Sequence, residues 1–253
     1  MIRILLARLT IVALILAGLA RSLPAQSPKP TIVLVHGAWA DASGWYDVTR
    51  ALQARGYKVV AVQNSLFSFA KDIETTKRLL AAQQGPIVVV GHSYGGAVIT
   101  AAAAGNPNVK SLVYVAAFAP DSNEVLGALL QRYPDLGLGK ALAPDAAGFL
   151  YIDAAKYPAV FANGLPPAQA RAFATAQKPI AGSALGEALT VAPAWKIVPS
   201  WYVVATQDRA INPELERFMA KRMHARVTEL PAGHLVFISR ARDVARIIER
   251  ASQ

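Results

Sequence analysis

The sequence predicts an α/β protein: a doubly wound, mostly parallel sheet with a helical cap insertion. Three observations predict it. Short Ile/Val-rich runs alternate with helix-like segments as far as Pro120. The alternation resumes at Ser200. Between them, from about 121 to 195, helical patterns are broken by Pro134, Pro144, Pro158, Pro166, Pro167 and Pro179. No strand-like run stands out there. A chain of 253 residues fits one such domain.

Thr31 to Val35 is a continuous β-branched and aliphatic run, as a parallel strand covered on both faces requires. Ser43 is a candidate cap for a helix to about Arg55, stopped by Gly56. Tyr57 to Val62 is the second strand. Phe69 to Gln83 has helical spacing, with Ile73, Leu79 and Leu80 on one side. Ile87 to Val90 is the third strand, followed by a small-residue helix from Tyr94 to Ala104. Val109 to Val115 is the fourth. After the insertion come a strand at Ser200–Ala205, a helix at Pro213–Met223, a strand at Ala225–Leu230 and a closing helix from Arg240. The insertion follows the carboxyl end of a strand, where open α/β sheets place ligands, so it reads as a cap over a site.

The first 25 residues have the form of an export signal: Arg3, an apolar run from Leu9 to Leu19, then small residues ending at Ala25. The expected boundaries are 1–25 for the leader and 26–253 for the folded domain, exported to a periplasm or beyond the cell. Cleavage after Ala20 and an uncleaved anchor are the competing readings. The chain has no cysteine, so neither a disulfide nor a lipid-anchor cysteine is available. Its formal charge is +10, from 26 basic and 16 acidic residues. Arg3, Arg8 and Arg21 lie in the leader, and without them 23 bases face 16 acids, a balance of +7. The bases are scattered over helices, which argues against a nucleic-acid partner. No stable membrane partner is expected of the domain. Four separated histidines form no metal-ligand set, so neither metal nor cofactor is expected.

The strongest chemical signal is Gly91-His92-Ser93-Tyr94-Gly95-Gly96, directly after an Ile/Val strand and directly before a helix. In that context G-x-S-x-G denotes a nucleophile on a sharp strand-to-helix turn. A serine hydroxyl needs a base. His234, in the loop Pro231-Ala232-Gly233-His234 after the last strand, returns to the same sheet edge. His36 and His92 have other places in the pattern, and His224 ends a basic helix. Asp208, just past the strand ending at Ala205, is the candidate partner of His234, with Asp121 its rival. The oxyanion of an acyl-transfer intermediate requires two N–H donors. Tyr94 and Ala38 are the candidates, Ala38 lying in His36-Gly37-Ala38-Trp39 after the first strand.

Together these segments resemble the α/β-hydrolase superfamily, and within it the esterase and hydroxynitrile-lyase branch. The resemblance runs from about Thr31 to Ile248 and implies the Ser93, Asp208, His234 order. Hydroxynitrile lyases of that branch carry a Thr before the oxyanion residue and a Lys shortly after the histidine. Gly37 and Leu235-Val236 stand in those places, so the likeness implies hydrolysis.

The insertion is rich in apolar and aromatic residues. Phe149 and Phe161, with Trp39, Leu235 and Val236 beside the candidate catalytic residues, are the expected pocket lining. Such a pocket suits a small to medium carboxylic ester as the small-molecule partner. Carbon–carbon bond cleavage, amide or lactone hydrolysis, and a ligand-binding receptor are the rival uses of the same residues.

Overall fold

The structure, a computed structural model, describes residues 28–253. The expected leader lies outside the described residues. Among the described residues no helix is long and apolar enough to cross a membrane.

Six strands form one sheet: β1 (Thr31–Val35), β2 (Val59–Val62), β3 (Ile87–Ser93), β4 (Val109–Ala117), and, after the insertion, β8 (Ser200–Ala205) and β9 (Arg226–Leu230). Their order is β2-β1-β3-β4-β8-β9, and every neighbouring pair is parallel. The four interior strands are almost wholly buried, which explains their unalternating Ile/Val runs. Helices α1 (Tyr46–Gln53), α2 (Phe69–Ala81), α3 (Tyr94–Ala102), α9 (Pro213–Arg222) and α11 (Ala241–Ala251) connect or close them. The chain leaves β1 for β2 on one side and then crosses to β3 on the other. The crevice between the carboxyl ends of β1 and β3 is therefore the switch point at which doubly wound sheets bind ligands.

Two local expectations differ from the structure. The first helix begins with a 3-10 turn, Ala42–Trp45, and it is the Asp41 side chain that caps it, accepting from the Ser43 N–H at 2.7 Å. A carboxylate two residues ahead of that N–H wins over the Ser43 hydroxyl. The insertion is also not purely helical. It holds α4 (Leu126–Leu130), α5 (Leu138–Ala141), β5 (Leu142–Pro144), β6 (Phe149–Ile152), α6 (Tyr157–Val160), α7 (Pro167–Ala176), β7 (Ile180–Ala181) and α8 (Gly182–Gly186). Its three strands form a small antiparallel sheet in the order β5-β6-β7. They are two to four residues long, too short for a periodic signal, and the outer one contains Pro144, which only an edge strand tolerates. Asp145 closes the hairpin by accepting from the Ala147 and Phe149 N–H groups, with Gly148 at φ 82°.

The turn from β3 into α3 rests on glycine. A Cβ at Gly95 would stand 2.5 Å from the Val35 carbonyl oxygen, and one at Gly91 would stand 2.6 Å from that of Gly95. A Gly95→Ala variant therefore forces β1 and α3 apart. Overpacking of this kind costs roughly 1–3 kcal/mol. Its thermal midpoint should fall by about 3–10 °C in calorimetry; an unchanged midpoint would mean that the turn relaxes freely.

Candidate active site

Ser93 sits at the end of β3 with φ 52° and ψ −125°, an uncommon conformation for a residue with a side chain. Such backbone costs on the order of 1–3 kcal/mol and persists where its surroundings enforce it. Here β1 and β4 do so. The Ser93 carbonyl accepts from the Phe118 N–H at 3.1 Å, past a register shift in the β3–β4 ladder. Ser93 makes no capping bond to α3, so its hydroxyl is not spent on the helix.

The chain after β1 comes directly alongside. A Cβ on Gly37 would lie 2.7 Å from the Ser93 Cβ, so only glycine lets this loop approach so closely. Ala38 follows it and is buried. Tyr94 opens α3, whose first-turn N–H groups lack intrahelical acceptors. The Tyr94 hydroxyl is held inward by Asp72, donating to Oδ2 at 2.9 Å. The same carboxylate accepts from the Ser65 N–H and hydroxyl and from the Leu66 N–H. Burial, reinforced by Asp72, pushes the Tyr94 phenol well up. His36 braces the loop from below. It accepts from the Asn64 N–H at Nε2, 2.9 Å, leaving Nδ1–H to donate to the Gly37 carbonyl at 2.8 Å.

Asp208 and His234 arrive on adjacent loops that prolong the β8–β9 ladder. The Thr206 N–H donates to the Leu230 carbonyl and the Gln207 N–H to that of Ala232. His234 Nδ1 lies 2.6 Å from Asp208 Oδ2. Asp208 Oδ1 accepts from the Ala210 and Ile211 N–H groups at 2.7 and 2.9 Å. These bonds fix the carboxylate, which in turn orients the imidazole with its Nε2 buried and unpartnered among the described residues. The rival Asp121 is elsewhere: at the base of the insertion it pairs with Lys196 at 2.6 Å.

His92, inside the turn beside Ser93, has a place of its own. Its ring centroid lies 4.7 Å from that of His234, and its Nε2–H donates to the His234 carbonyl at 3.1 Å. Full burial holds its pKa well below the ordinary histidine value. His36 is lowered for the same reason, burial. The fourth histidine, His224, is exposed just beyond α9 at φ 51°.

The cap closes directly over these groups. Phe161 places its ring 4.8 Å from the His234 imidazole and 5.6 Å from the Trp39 ring. The Trp39 Nε1–H donates to the Leu150 carbonyl of β6 at 2.8 Å. Asn163 donates to the Gln207 carbonyl at 2.8 Å, and its own carbonyl lies so near Gly233 that a Cβ there would overlap it. Ser93 is 4% exposed, Asp208 1% and His234 0%. Leu235 and Trp39 line a cavity of about 30 Å³ with Tyr157, Phe173 and Phe237. Val236 is buried beside them at the start of α10 (Val236–Ser239). Phe149 lies apart, half-buried, with its ring against Phe67 at 5.0 Å. A larger apolar cavity, about 450 Å³, lies between the cap and the loop after Asp208, lined by Leu130, Leu138, Leu142, Leu185 and Ala210. A groove of about 750 Å³ lies between α1 and the start of α11.

Comparison with known proteins agrees with this fold. The model of the Alpha/beta hydrolase family matches residues 32–247, and the chain belongs to that family. A carbendazim hydrolyzing esterase of Nocardioides sp. (strain SG-4G) is 34% identical over 128 residues, 46% of this chain and 50% of the esterase. An alpha-hydroxynitrile lyase of Arabidopsis thaliana is 33% identical over 129 residues, 44% of this chain and 49% of the lyase. The chain thus spans about half the length of the curated relatives it matches. Among solved structures, an extracellular alpha/beta-hydrolase from a Paenibacillus species superposes with a TM-score of 0.75 at 21% identity, covering 88% of this chain and 99% of that one.

His36 and His92 also set a pH dependence of stability. Each is held neutral in the fold by burial, whereas the unfolded chain takes up a proton near pH 6.5. Below that pH the unfolded state binds more protons, so stability falls with acidification by at most about 1.4 kcal/mol per pH unit for each group. Thermal midpoints should drop between pH 7 and pH 5, and His92→Asn should flatten the slope. A midpoint independent of pH over that range would contradict this account.

Proposed function

We propose that the chain is a serine hydrolase acting on small to medium carboxylic esters. The observation that carries this reading is the alignment of Asp208 and His234 at 2.6 Å, with the imidazole Nε2 unpartnered among the described residues and the His234 backbone bound to His92, the neighbour of Ser93. Ser93 Oγ attacks the ester carbonyl as His234 takes its proton. Asp208 stabilises the imidazolium and keeps the ring in the required tautomer. The Ala38 and Tyr94 N–H groups receive the developing oxyanion. The ester C–O bond then breaks, the alcohol leaving with the proton held by His234 and the acyl group staying on Ser93 Oγ. His234 next takes a proton from water, whose attack on the acyl carbon releases the acid and returns the proton to Ser93. No metal or cofactor takes part in this scheme.

The apolar cover of Trp39, Phe161 and Leu235 favours the uncharged flank of an ester over a charged substrate. The esterase name of the Nocardioides relative supports the reading. The lyase relative does not weigh against it, because Leu235 and Val236 stand where lyases of that branch carry a lysine, and His92 and Phe161 pack on the His234 ring.

Turnover of p-nitrophenyl esters of increasing acyl length tests the proposal. The native chain should hydrolyse them, and the acyl length with the highest kcat/KM sizes the space open to the acyl group. Ser93→Ala should remove turnover and leave the thermal midpoint near that of the native chain. Asp208→Asn should lower kcat by roughly 10³–10⁴-fold. Undiminished hydrolysis in Ser93→Ala would reject the assignment.

We also propose that residues 1–25 direct export, on the strength of Arg3 and the Leu9–Leu19 run. Mass spectrometry of the full chain expressed in a bacterium with a periplasm should find an N-terminus at Gln26. A full-length mass held in the membrane fraction would argue for an anchor instead.

A further inference from the structure

Glu216 on α9 is a fully buried acid that the proposed chemistry does not use. Its Oε2 accepts from the Ala205 N–H at 3.0 Å, and its Oε1 has no donor. Both acids are buried around Ala205 at the end of β8: Glu216 accepts from its N–H, and the Asp208 N–H donates to its carbonyl at 3.0 Å, which brings the two carboxyls close enough for their charges to act on one another. Three N–H groups already engage Asp208, those of Ala210 and Ile211 at Oδ1 and of His234 at Oδ2, which leaves an acceptor position on Oδ2. Two carboxylates in such contact, away from water, cannot both be charged. One proton placed between them removes the repulsion and gives the orphaned oxygen a role.

We propose that Glu216 is a positioning residue: a neutral carboxylic acid that donates its proton in a hydrogen bond to the Asp208 carboxylate and so fixes the acid behind His234. This rests on the Ser93, His234, Asp208 reading and adds a fourth member to it. The proton belongs on Glu216 because Asp208 receives three N–H donors and Glu216 only one. Burial, and then the charge of Asp208, push Glu216 well above the usual carboxylic range. The other ionisable groups near it do not compensate a second charge. Tyr202 of β8 has its hydroxyl committed to the Ala117 carbonyl. Arg217, next on α9, turns outward to Glu214 and Glu229. The donated hydrogen bond draws charge from Asp208 and fixes the carboxylate that holds the His234 imidazole in place.

Three chains test this: the native protein, Glu216→Gln and Glu216→Leu. The infrared spectrum of the native protein at neutral pH should show the carbonyl stretch of a protonated, buried carboxylic acid. That band should vanish in Glu216→Gln. Because Gln keeps a neutral donor, the acid limb of its kcat/KM profile should stay in place and its kcat should remain within about threefold of native. Glu216→Leu removes the donor and leaves Asp208 more basic, so its acid limb should move up by roughly half a pH unit or more. An absent band in the native protein would overturn the proposal. So would a downward move of the acid limb in Glu216→Gln, the sign of a lost negative charge. An unmoved limb and unchanged kcat/KM in Glu216→Leu would reduce Glu216 to a packing residue. Should the Leu variant fail to fold, the band and the Gln profile decide alone. The infrared result needs no turnover, so it stands or falls separately from the Ser93→Ala assay.

Discussion

Everything in this molecule depends on how closely three backbone segments meet at the top of β3. The loop after β1, the turn into α3 and the end of β4 share a space in which Gly37, Gly91 and Gly95 have no room for a side chain. That crowding holds Ser93 at φ 52°. It also brings the Ala38 segment alongside Ser93 without any help from the cap. The nucleophile candidate and its donor candidates are thus products of the sheet's close-packed interior.

The other half of the site is built on a different principle. Asp208 and His234 stand on loops, yet the β8–β9 hydrogen-bond ladder runs on into both of them through Thr206 and Gln207. His92 then joins the halves. It belongs to the β3 turn, and it grips the carbonyl of His234. A displacement of the base relative to Ser93 would have to break that bond and separate two packed rings. Asp72 plays a comparable part under Tyr94, tying α3 to the Ser65–Leu66 segment.

Most of the sheet was legible in the sequence because buried parallel strands write themselves as unbroken Ile/Val runs. The elbow was legible because its glycines are demanded by contact distances. The residues behind the site were not. Asp72 and Glu216 sit on helix positions that read as ordinary polar or solvent faces, and only the fold shows them fully buried. Asn163 gave no signal either, since its partner Gln207 is 44 positions away. The cap strands escaped notice because each pairs over two to four residues, a length at which side-chain alternation carries no information. Phe149 illustrates the same weakness: an aromatic count in the insertion could not say which rings face the crevice and which, like this one, rest on Phe67.

The cap is tied to the loops around the candidate site by contacts that can be named one by one. The Trp39–Leu150 and Asn163–Gln207 hydrogen bonds and the Phe161 ring against His234 hold it there. Two hydrogen bonds of this kind contribute about 1 kcal/mol each. Those contacts leave Ser93 4% and His234 0% exposed, so a bulky reagent aimed at either side chain meets the cap first.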